Sequence, residues 1–307
     1  QLRWTGYTGV GFSRISVNPS LSIIYKLNYA WRFTAHASYK ERYGEMTDLY
    51  DRPYQTDYRN SVWNCGILPV YRQQLYSVYG EYKNTAREFF ATVNLTHNRE
   101  WYNRIYEQRI ENGQVQRVSL PLSNHGSGYT VKSTLSKGFY DLGLKTSFLA
   151  LLNISKAEQS SGGQRLPYQY RLMRLEPKVI WTPNRHWETS YQTDIRYGGN
   201  KIGERTRLAP LWNVTQQVQL SYIFSPIEAS LSVDHYHNDV NEDQSVNAVF
   251  ADFSVLWKSR RWQITATATN LFDKRTYAYT RYASLESYTS WVRIRPREFL
   301  VAIRYRL

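Results

Sequence analysis

The sequence RPREFLVAIRYRL occupies residues 295–307, and its second half alternates between two kinds of side chain. One face carries Phe299, Val301, Ile303, Tyr305 and Leu307, and the other carries Leu300, Ala302, Arg304 and Arg306. A period of two predicts a β-strand. Two arginines would be costly in a packed core but not beside water. The pattern therefore predicts a strand with one face toward lipid and the other toward a wet lumen.

A second motif, NLFDKR, occupies residues 270–275, and Pro296 and Arg297 precede the terminal strand. Together with Phe299 to Leu307, these residues resemble the close of a TonB-dependent outer-membrane receptor. In that family a strand ends in Asn-Leu-Phe-Asp/Asn-Lys, an extracellular loop follows, and Pro-Arg leads into a last strand that the barrel-assembly machinery reads. The family usually ends in Phe, whereas this chain ends in Leu307, with Tyr305 as the nearest aromatic residue.

A third match lies near the other end, at residues 18–27 and 31–35. This stretch resembles the mid-barrel hairpin of receptors that carry a small regulatory-like domain before the plug. The resemblance implies an antiparallel transmembrane β-barrel of about 22 strands around an N-terminal plug. It also implies that residues 1–307 form the C-terminal portion of that barrel, with the plug and the first barrel strands absent from this sequence.

The composition fits this class. The 307 residues include 27 Tyr and 10 Trp, which suit the two interfacial girdles of a barrel. The net charge of +14 first suggests nucleic acid, but Arg and Lys are spread along the chain, so no nucleic-acid partner is expected. Inside a barrel these cations would favour anionic cargo, and at the rim they would meet lipid phosphates. The alternative class is a soluble all-β protein with exposed aromatics.

The alternation of apolar and polar side chains recurs in about thirteen segments. Short turns and longer loops alternate as the connections between them. We expect one strand to run from Phe89 to about Ile110. We expect a turn at Lys137-Gly138, a flexible loop at Gln159–Gln164 and a loop at Gly198-Gly199. Bacterial single-chain barrels have even strand numbers, so an odd count is a second reason to expect missing strands.

Aromatic residues are concentrated in two of the predicted loops, which suggests binding of a sugar, peptide or siderophore, or contact with a lipoprotein lid. The members are Tyr50, Tyr54, Tyr58 and Trp63 in the first loop, and Tyr277, Tyr279 and Tyr282 in the last. Packing between loops and membership of the girdle remain alternatives. The single Cys65 lies in the first loop and excludes an intramolecular disulfide.

Charged residues on the predicted lumenal faces are the second set of candidates. They are Arg174, Glu176 and Lys178 on one strand, and Asp194 and Arg196 on the next. They would bind cargo or a plug, or pair with one another across the wall. His235 and His237 share a face near acidic residues. The alternatives are that they bind a metal or haem iron and that they lie exposed to water at the rim of the barrel. We expect the second.

No catalytic signature is evident. Serines are plentiful, but no spacing singles out a nucleophile with its base, and no phosphate-binding or dinucleotide fingerprint occurs. We therefore expect no enzyme activity, no cofactor and no metal.

The resemblance implies a receptor in the outer membrane of a Gram-negative bacterium that takes up a scarce nutrient, such as a siderophore, haem, cobalamin, a glycan or a peptide. The expected partners are outer-membrane lipid and lipopolysaccharide, the plug, the TonB energy complex and a surface lipoprotein. The alternatives are a structural barrel subunit of a larger outer-membrane complex, and a plain porin.

Overall fold

A computed structural model describes residues 2–5, 11–64, 66, 68–111, 114–203, 206–207, 209–283 and 286–306. The first strands in chain order are β1 Leu2–Thr5, β2 Gly11–Arg14, β3 Ser20–Lys26, β4 Trp31–Tyr43, β5 Tyr54–Gln55 and β6 Asn60–Trp63. They are followed by β7 Val70–Asn84, β8 Phe89–Tyr102, β9 Ile105–Glu111, β10 Gln114–Leu120, β11 Asn124–Phe139, β12 Leu144–Ser161 and β13 Gln164–Asn184.

The remaining strands are β14 Trp187–Ile202, β15 Thr206–Arg207, β16 Leu211–Phe224, β17 Ile227–Asp239, β18 Ser245–Lys258, β19 Trp262–Thr269, β20 Thr276–Ala283, β21 Glu286–Arg293 and β22 Glu298–Tyr305. Two single 3-10 turns, at Met46–Leu49 and Tyr140–Leu142, are the helical elements of the described residues. Within that part of the chain, no helix is long and apolar enough to cross a membrane.

Thirteen of these strands form the wall, each antiparallel to the next. Their order is β3, β4, β7, β8, β11, β12, β13, β14, β16, β17, β18, β19 and β22. Short turns join alternate pairs at one end of the wall. Longer loops join the others at the opposite end, except that β12 and β13 are joined by the two residues Gly162-Gly163. The predicted antiparallel barrel fold and the strand number are confirmed, and the predicted alternation of turns and loops fails at this connection.

The wall has one seam. The strand order is that of a barrel, with β22 next to β3. However, β3 is in register only with β4, and β22 only with β19, among the described residues. Every residue of β3 and β22 is exposed, whereas the strands inside the wall contain half-buried residues. Each seam strand therefore presents one edge without a strand in register with it.

The outer face of the wall is apolar and is bounded by aromatic rings at the short-turn end. Trp31 packs 4.8 Å from Tyr82, measured between ring centroids, and Tyr82 lies 5.7 Å from Phe89. Farther around the wall, Trp187 packs on Tyr222 at 4.6 Å. Such rings belong at a membrane interface, where an apolar body and a polar tip meet different media.

The NLFDK motif has a structural explanation. Asn270 is buried in the left-handed conformation (φ 50°), and its side-chain amide donates to the backbone oxygens of Lys274 and Arg295 at 2.8 Å each. Asp273 accepts a 2.9 Å hydrogen bond from the backbone N–H of Arg297. These bonds join the start of the last loop to its end, so the motif aligns β22 beside β19.

Several boundary predictions are wrong. The segment from Phe89 to Ile110 is two strands, because the chain breaks at Asn103-Arg104. The turn before β12 is made by Gly143 (φ 59°), whereas Lys137 and Gly138 lie inside β11, where Glu88 packs against the glycine. The expected loop at 159–164 narrows to Gly162-Gly163, and Gly198-Gly199 lies within β14.

Candidate functional site

Two of the long loops share a small sheet at the loop end of the wall. β5 and β6 come from the loop after β4, and β9 and β10 come from the loop after β8. β6 pairs with β10 in parallel, and β10 pairs with β9 in an antiparallel hairpin. Residues 112–113 lie outside the described residues, and the register of Gln114 opposite Glu111 shows that β9 and β10 form a hairpin around them.

The loop sheet is anchored to the wall through Glu107 of β9. This carboxylate is buried, with 4% of its surface exposed, and accepts hydrogen bonds from Ser160 Oγ at 2.7 Å and Gly163 N at 3.2 Å. Arg109 Nε donates to the same carboxylate at 2.9 Å and, together with Ser160, holds the pKa of Glu107 below its usual range. Glu107 therefore ties β9 to the tip of the β12–β13 hairpin in its ionised form.

A second anchor joins the two loops. Arg104 forms a 2.8 Å ion pair with Asp48, and both side chains are largely shielded from solvent. The amide of Asn103 donates to the backbone oxygen of Leu68 at 2.9 Å, and its oxygen accepts from Val70 N at 2.8 Å. These contacts fold both loops inward.

A cavity of about 950 Å³ lies between the loop sheet and the inner face of β8, β11, β12 and β13. Glu100 occupies its wall side and accepts four hydrogen bonds. The donors are Tyr71 at 3.1 Å, Gln73 at 3.0 Å, Asn98 at 2.9 Å and Tyr102 at 2.9 Å. This carboxylate is saturated by neutral donors, so it organises the cavity wall instead of offering a free acceptor.

The loop side of the cavity is cationic and aromatic. The guanidinium of Arg117 lies 3.6 Å from the ring centre of Tyr106, and Arg104 lies 4.8 Å from the same ring. Burial raises the pKa of the Tyr106 phenol, so it remains a neutral donor. Arg104 is neutralised by Asp48, but Arg117 forms no ion pair with any described residue. Arg117 and Lys156 are thus the lining cations that form no ion pair with a described residue, and Arg117 is the one on the loop side.

The predicted aromatics of the first loop stabilise the loop and do not line this cavity. Tyr50 and Tyr54 pack edge to face at 6.1 Å, and Trp63 Nε1 donates to Asp51 at 3.2 Å. Tyr58 lies at the β5–β6 turn with 79% of its surface exposed. Cys65 lies outside the described residues.

A second cavity, of about 480 Å³, brings together the two other sets of predicted residues. Arg174 donates to both oxygens of Asp194, at 3.1 and 3.0 Å, and is ion-paired with Glu176. Arg196 also pairs with Asp194, at 2.6 Å. Lys178 lies outside this network, opposite Gln192. The charge pairing considered from the sequence is therefore present on the lumenal face.

The last loop folds into the lumen as the β20–β21 hairpin. Asn238 donates to the backbone oxygen of Ala278 at 3.1 Å, and both residues are buried. Tyr277 packs on Tyr236 at 5.3 Å. Tyr277 and Tyr279 line the second cavity. Tyr282 belongs to β20, and its side chain lies outside the described residues.

The two histidines of β17 occupy the outer face near the rim. His237 bonds Asn247 at 2.9 Å and lies 3.4 Å from Asp239, while His235 contacts Gln216 at 3.3 Å. The described residues contain no cluster of three or more His, Cys, Asp or Glu able to hold a metal. On the terminal strand, Phe299, Val301, Ile303 and Tyr305 are exposed, and Leu307 lies outside the described residues.

Sequence reasoning missed the residues of the larger cavity. Glu100 and Tyr106 lie in the segment expected to be one strand from Phe89 to about Ile110, and Arg117 was not singled out. The available signal was the run EWYNRIY at residues 100–106, where charge and aromatics interrupt the alternation.

The architecture is shared with solved outer-membrane structures. The FrpB iron transporter of Neisseria meningitidis (F3-3 variant) superposes with a TM-score of 0.51 at 9% identity, over 86% of this chain and 44% of that chain. The fold is that of a large antiparallel outer-membrane β-barrel, as in this transporter. The ferric yersiniabactin uptake receptor FyuA of Yersinia pestis is also similar, with a TM-score of 0.49 at 8% identity, covering 94% of this chain and 50% of that chain.

Another similar structure is FpvA of P. aeruginosa bound to heterologous pyoverdines, with a TM-score of 0.48 at 10% identity, over 94% of this chain and 44% of that chain. The chain thus spans about half the length of these receptors. No protein-family model matches the chain, and no curated protein sequence is similar to it. At these identities the likeness establishes the fold of outer-membrane barrels.

Proposed function

We propose that this chain is part of an outer-membrane receptor that takes up a scarce nutrient through a plugged barrel. The observation that carries the proposal is the cavity of about 950 Å³ beneath the loop sheet. Its volume is within the range of small-molecule sites, and it opens on the lumenal side of the wall. A barrel that only filled space would not require loops held inward by the buried Glu107 and Asp48–Arg104 contacts.

The cargo is expected to carry anionic or hydrogen-bonding groups. Arg117, stacked on Tyr106, offers a cation and a flat ring, and Tyr106 adds a neutral donor. The same chemistry suits a siderophore, a haem propionate, an acidic peptide or a glycan acid. The aromatics of Tyr277 and Tyr279 beside Arg174 and Asp194 provide a second contact point on the lumenal face.

The seam supports the proposal that residues 1–307 form the C-terminal portion of a larger barrel. Strand edges without hydrogen-bond partners are not tolerated in lipid, so further strands should complete the wall between β22 and β3. In that arrangement a plug would fill the lumen and transmit force from the TonB complex, and a surface lipoprotein could cover the exposed loops.

Uptake and a purely structural role can be separated by one experiment. Arg117→Glu reverses the charge of the loop-side cation of the cavity, and Arg261→Glu, at a short turn on the opposite end, is its matched control. Cells dependent on this protein are grown on siderophore-bound iron, haem, cobalamin, a glycan or a peptide as the limiting nutrient. The proposal predicts a growth defect for Arg117→Glu on one nutrient class, with normal barrel assembly.

The control should grow like the wild type on every nutrient. Equal growth of Arg117→Glu and the wild type on all of them, together with loss of a co-purifying outer-membrane protein, would instead establish the structural-subunit role.

A further inference from the structure

A groove of about 550 Å³ crosses the outer, lipid-facing surface of the wall near the seam. Its floor is Ala35 and Ala37 on β4, whose methyl groups leave a depression one strand wide. On one side Ala35 lies opposite Ile23, and Ala37 opposite Leu21. On the other side they face Val78 and Tyr76 of β7. The side of the groove beyond β7 is formed by the outward side chains of β8 and β11.

The end of the groove nearer the short turns is closed. Phe33 follows below Ala35 on β4, and its ring lies over Gly80 of β7, 3.5 Å from where a Cβ would be. The side of the groove formed by β8 and β11 is rigid. His97 stacks on Tyr129 with ring centroids 4.3 Å apart and on Tyr76 at 6.4 Å, and its Nδ1 lies 3.0 Å from the Gly128 oxygen. Phe33 therefore bounds the groove toward the short-turn end, and no such ring bounds it toward the loop end among the residues that line it.

The residues directly above the opening are hydrogen-bond donors. Tyr39, Gln74 and Arg99 lie opposite one another in register, one outward position above the row of Ala37, Tyr76 and His97. Arg99 is exposed and forms no ion pair with the described residues. The nearest carboxylate on this face, Glu41, is buried against Arg72 at 3.1 Å.

The row of Tyr39, Gln74 and Arg99 lies near the boundary between the apolar band and the lipid headgroups. Gln74 lies eight residues along β7 from Tyr82, a ring of the short-turn belt. At about 3.3 Å per residue the separation is about 26 Å along the strand, and a strand tilt of about 40° reduces it to about 20 Å of height, most of the apolar band of about 25 Å in outer-membrane barrels. The groove thus lies within the hydrocarbon layer, and Arg99 lies near its upper margin, from where a long side chain reaches the headgroups.

We propose that this groove is a specific site for an anionic membrane lipid whose only headgroup charge is its phosphate. One acyl chain lies along Ala35 and Ala37, between the side chains of β3 and those of β7 and β8, and on the loop side of Phe33. The lipid phosphate is bound by the Arg99 guanidinium with Gln74 and Tyr39. The surroundings select this occupant, because an apolar depression inside the bilayer meets acyl chains, and Arg99, the charge at its mouth that has no ion pair among the described residues, is cationic.

Two variants test the two halves of the site. Ala37→Leu fills the groove, and Ala229→Leu is its control on the outer face of β17. Arg99→Gln removes the cation, and its control is Arg171→Gln, another exposed arginine on the outer face. The full chain is assembled in outer membranes, purified in detergent and titrated with phosphatidylglycerol or phosphatidylcholine of identical chains. Bound lipid is counted by native mass spectrometry.

The wild type should retain one phosphatidylglycerol at concentrations where phosphatidylcholine is lost. Arg99→Gln should weaken phosphatidylglycerol binding about fivefold and abolish the preference, as expected for one interfacial cation. Ala37→Leu should weaken both lipids, and the controls should behave like the wild type.

Equal retention of both lipids by the wild type would overturn the proposal. So would an unchanged phosphatidylglycerol affinity in both Arg99→Gln and Ala37→Leu, as would loss of binding in Ala229→Leu equal to that in Ala37→Leu. Capture of a protein by this face, unaffected by added lipid, would assign the groove to a protein partner and also refute it.

Discussion

Ser160 at the end of β12 donates a 2.7 Å hydrogen bond to the buried carboxylate of Glu107 in β9. The two residues are far apart in sequence, yet this bond and the one from Gly163 fix the loop sheet on the wall. Because the carboxylate is ionised and buried, its hydrogen bonds are of the charge-assisted kind. The position of the large cavity depends on this contact.

Glu107→Gln should loosen the loop sheet while leaving the barrel wall intact. Removing the charge weakens the bonds from Arg109 and Ser160, and a hydrogen bond to a charged group contributes about 1.5–3 kcal/mol. Hydrogen–deuterium exchange should accelerate in β9 and β10 and remain unchanged in β16 and β17. The control Glu158→Gln, in a half-exposed pair with Arg165 at 3.5 Å, should have little effect. Unchanged protection of β9 would contradict the anchoring role.

The same contact predicts a pH dependence. The pKa of Glu107 is lowered in the folded protein, chiefly by the Arg109 hydrogen bond, so its contribution to stability is fully present above the unfolded value of about 4.3. It is lost as the pH falls through the folded pKa. Exchange protection of β9 should therefore be constant near neutrality and decline in acid. In Glu107→Gln the acid decline should be absent, and an equal decline in both proteins would refute this linkage.

The strands of the wall were largely predictable from the sequence, because each of them is encoded by the alternation of side chains within its own residues. The alternation of Ile227, Ala229, Leu231 and Val233 against polar neighbours is enforced within one strand, since one side contacts lipid and the other water. The loop sheet was not predictable, because β6 pairs with β10 across two separate loops. Neither two-residue periodicity nor turn residues encode such a pairing, and so the cavity with Arg117 was missed.

The outer face also gives a direct stability test. Leu231 lies on the apolar face of β17, four residues from the short-turn end at Ile227. Leu231→Arg should destabilise the barrel by about 2–4 kcal/mol if it lies near the bilayer midplane. Ser232→Arg, one residue along and facing the lumen opposite Asp252, is the matched control and should cost little. Equal unfolding free energies in lipid for the two variants would invalidate the assignment of the faces.

The hairpin in the lumen should depend on Asn238. Its amide donates to the Ala278 oxygen in a site where both residues are buried, so Asn238→Ala leaves an unsatisfied carbonyl and costs about 1–3 kcal/mol locally. Exchange should increase in β20 without a change in β14. Asn241→Ala, in the exposed β17–β18 turn, is the control. If β20 remained as protected as in the wild type, the hairpin would be held by other contacts.

The seam predicts that this chain alone does not form a closed barrel. The edges of β3 and β22 have no strand in register among the described residues, and unpaired edges in lipid promote aggregation. Expressed alone, residues 1–307 should give aggregates without the heat-dependent gel mobility of closed barrels. Expression together with additional barrel strands should restore that mobility. A monodisperse, pore-forming product from these residues alone would refute the larger-barrel proposal.

The sidedness of the loops can be tested with single cysteines in a Cys65→Ser background. Tyr58 lies at the tip of the first loop and Tyr29 in the short β3–β4 turn at the opposite end, with 79% and 95% of their surfaces exposed. Long loops of outer-membrane barrels face the exterior and short turns face the periplasm. A membrane-impermeant thiol reagent should therefore label Tyr58→Cys on intact cells, and Tyr29→Cys only after the outer membrane is permeabilised. Because accessibility is similar at both positions, a reversed pattern could only mean a reversed topology. In that case the cavity under the loop sheet would face the periplasm, and the receptor proposal would fail with it.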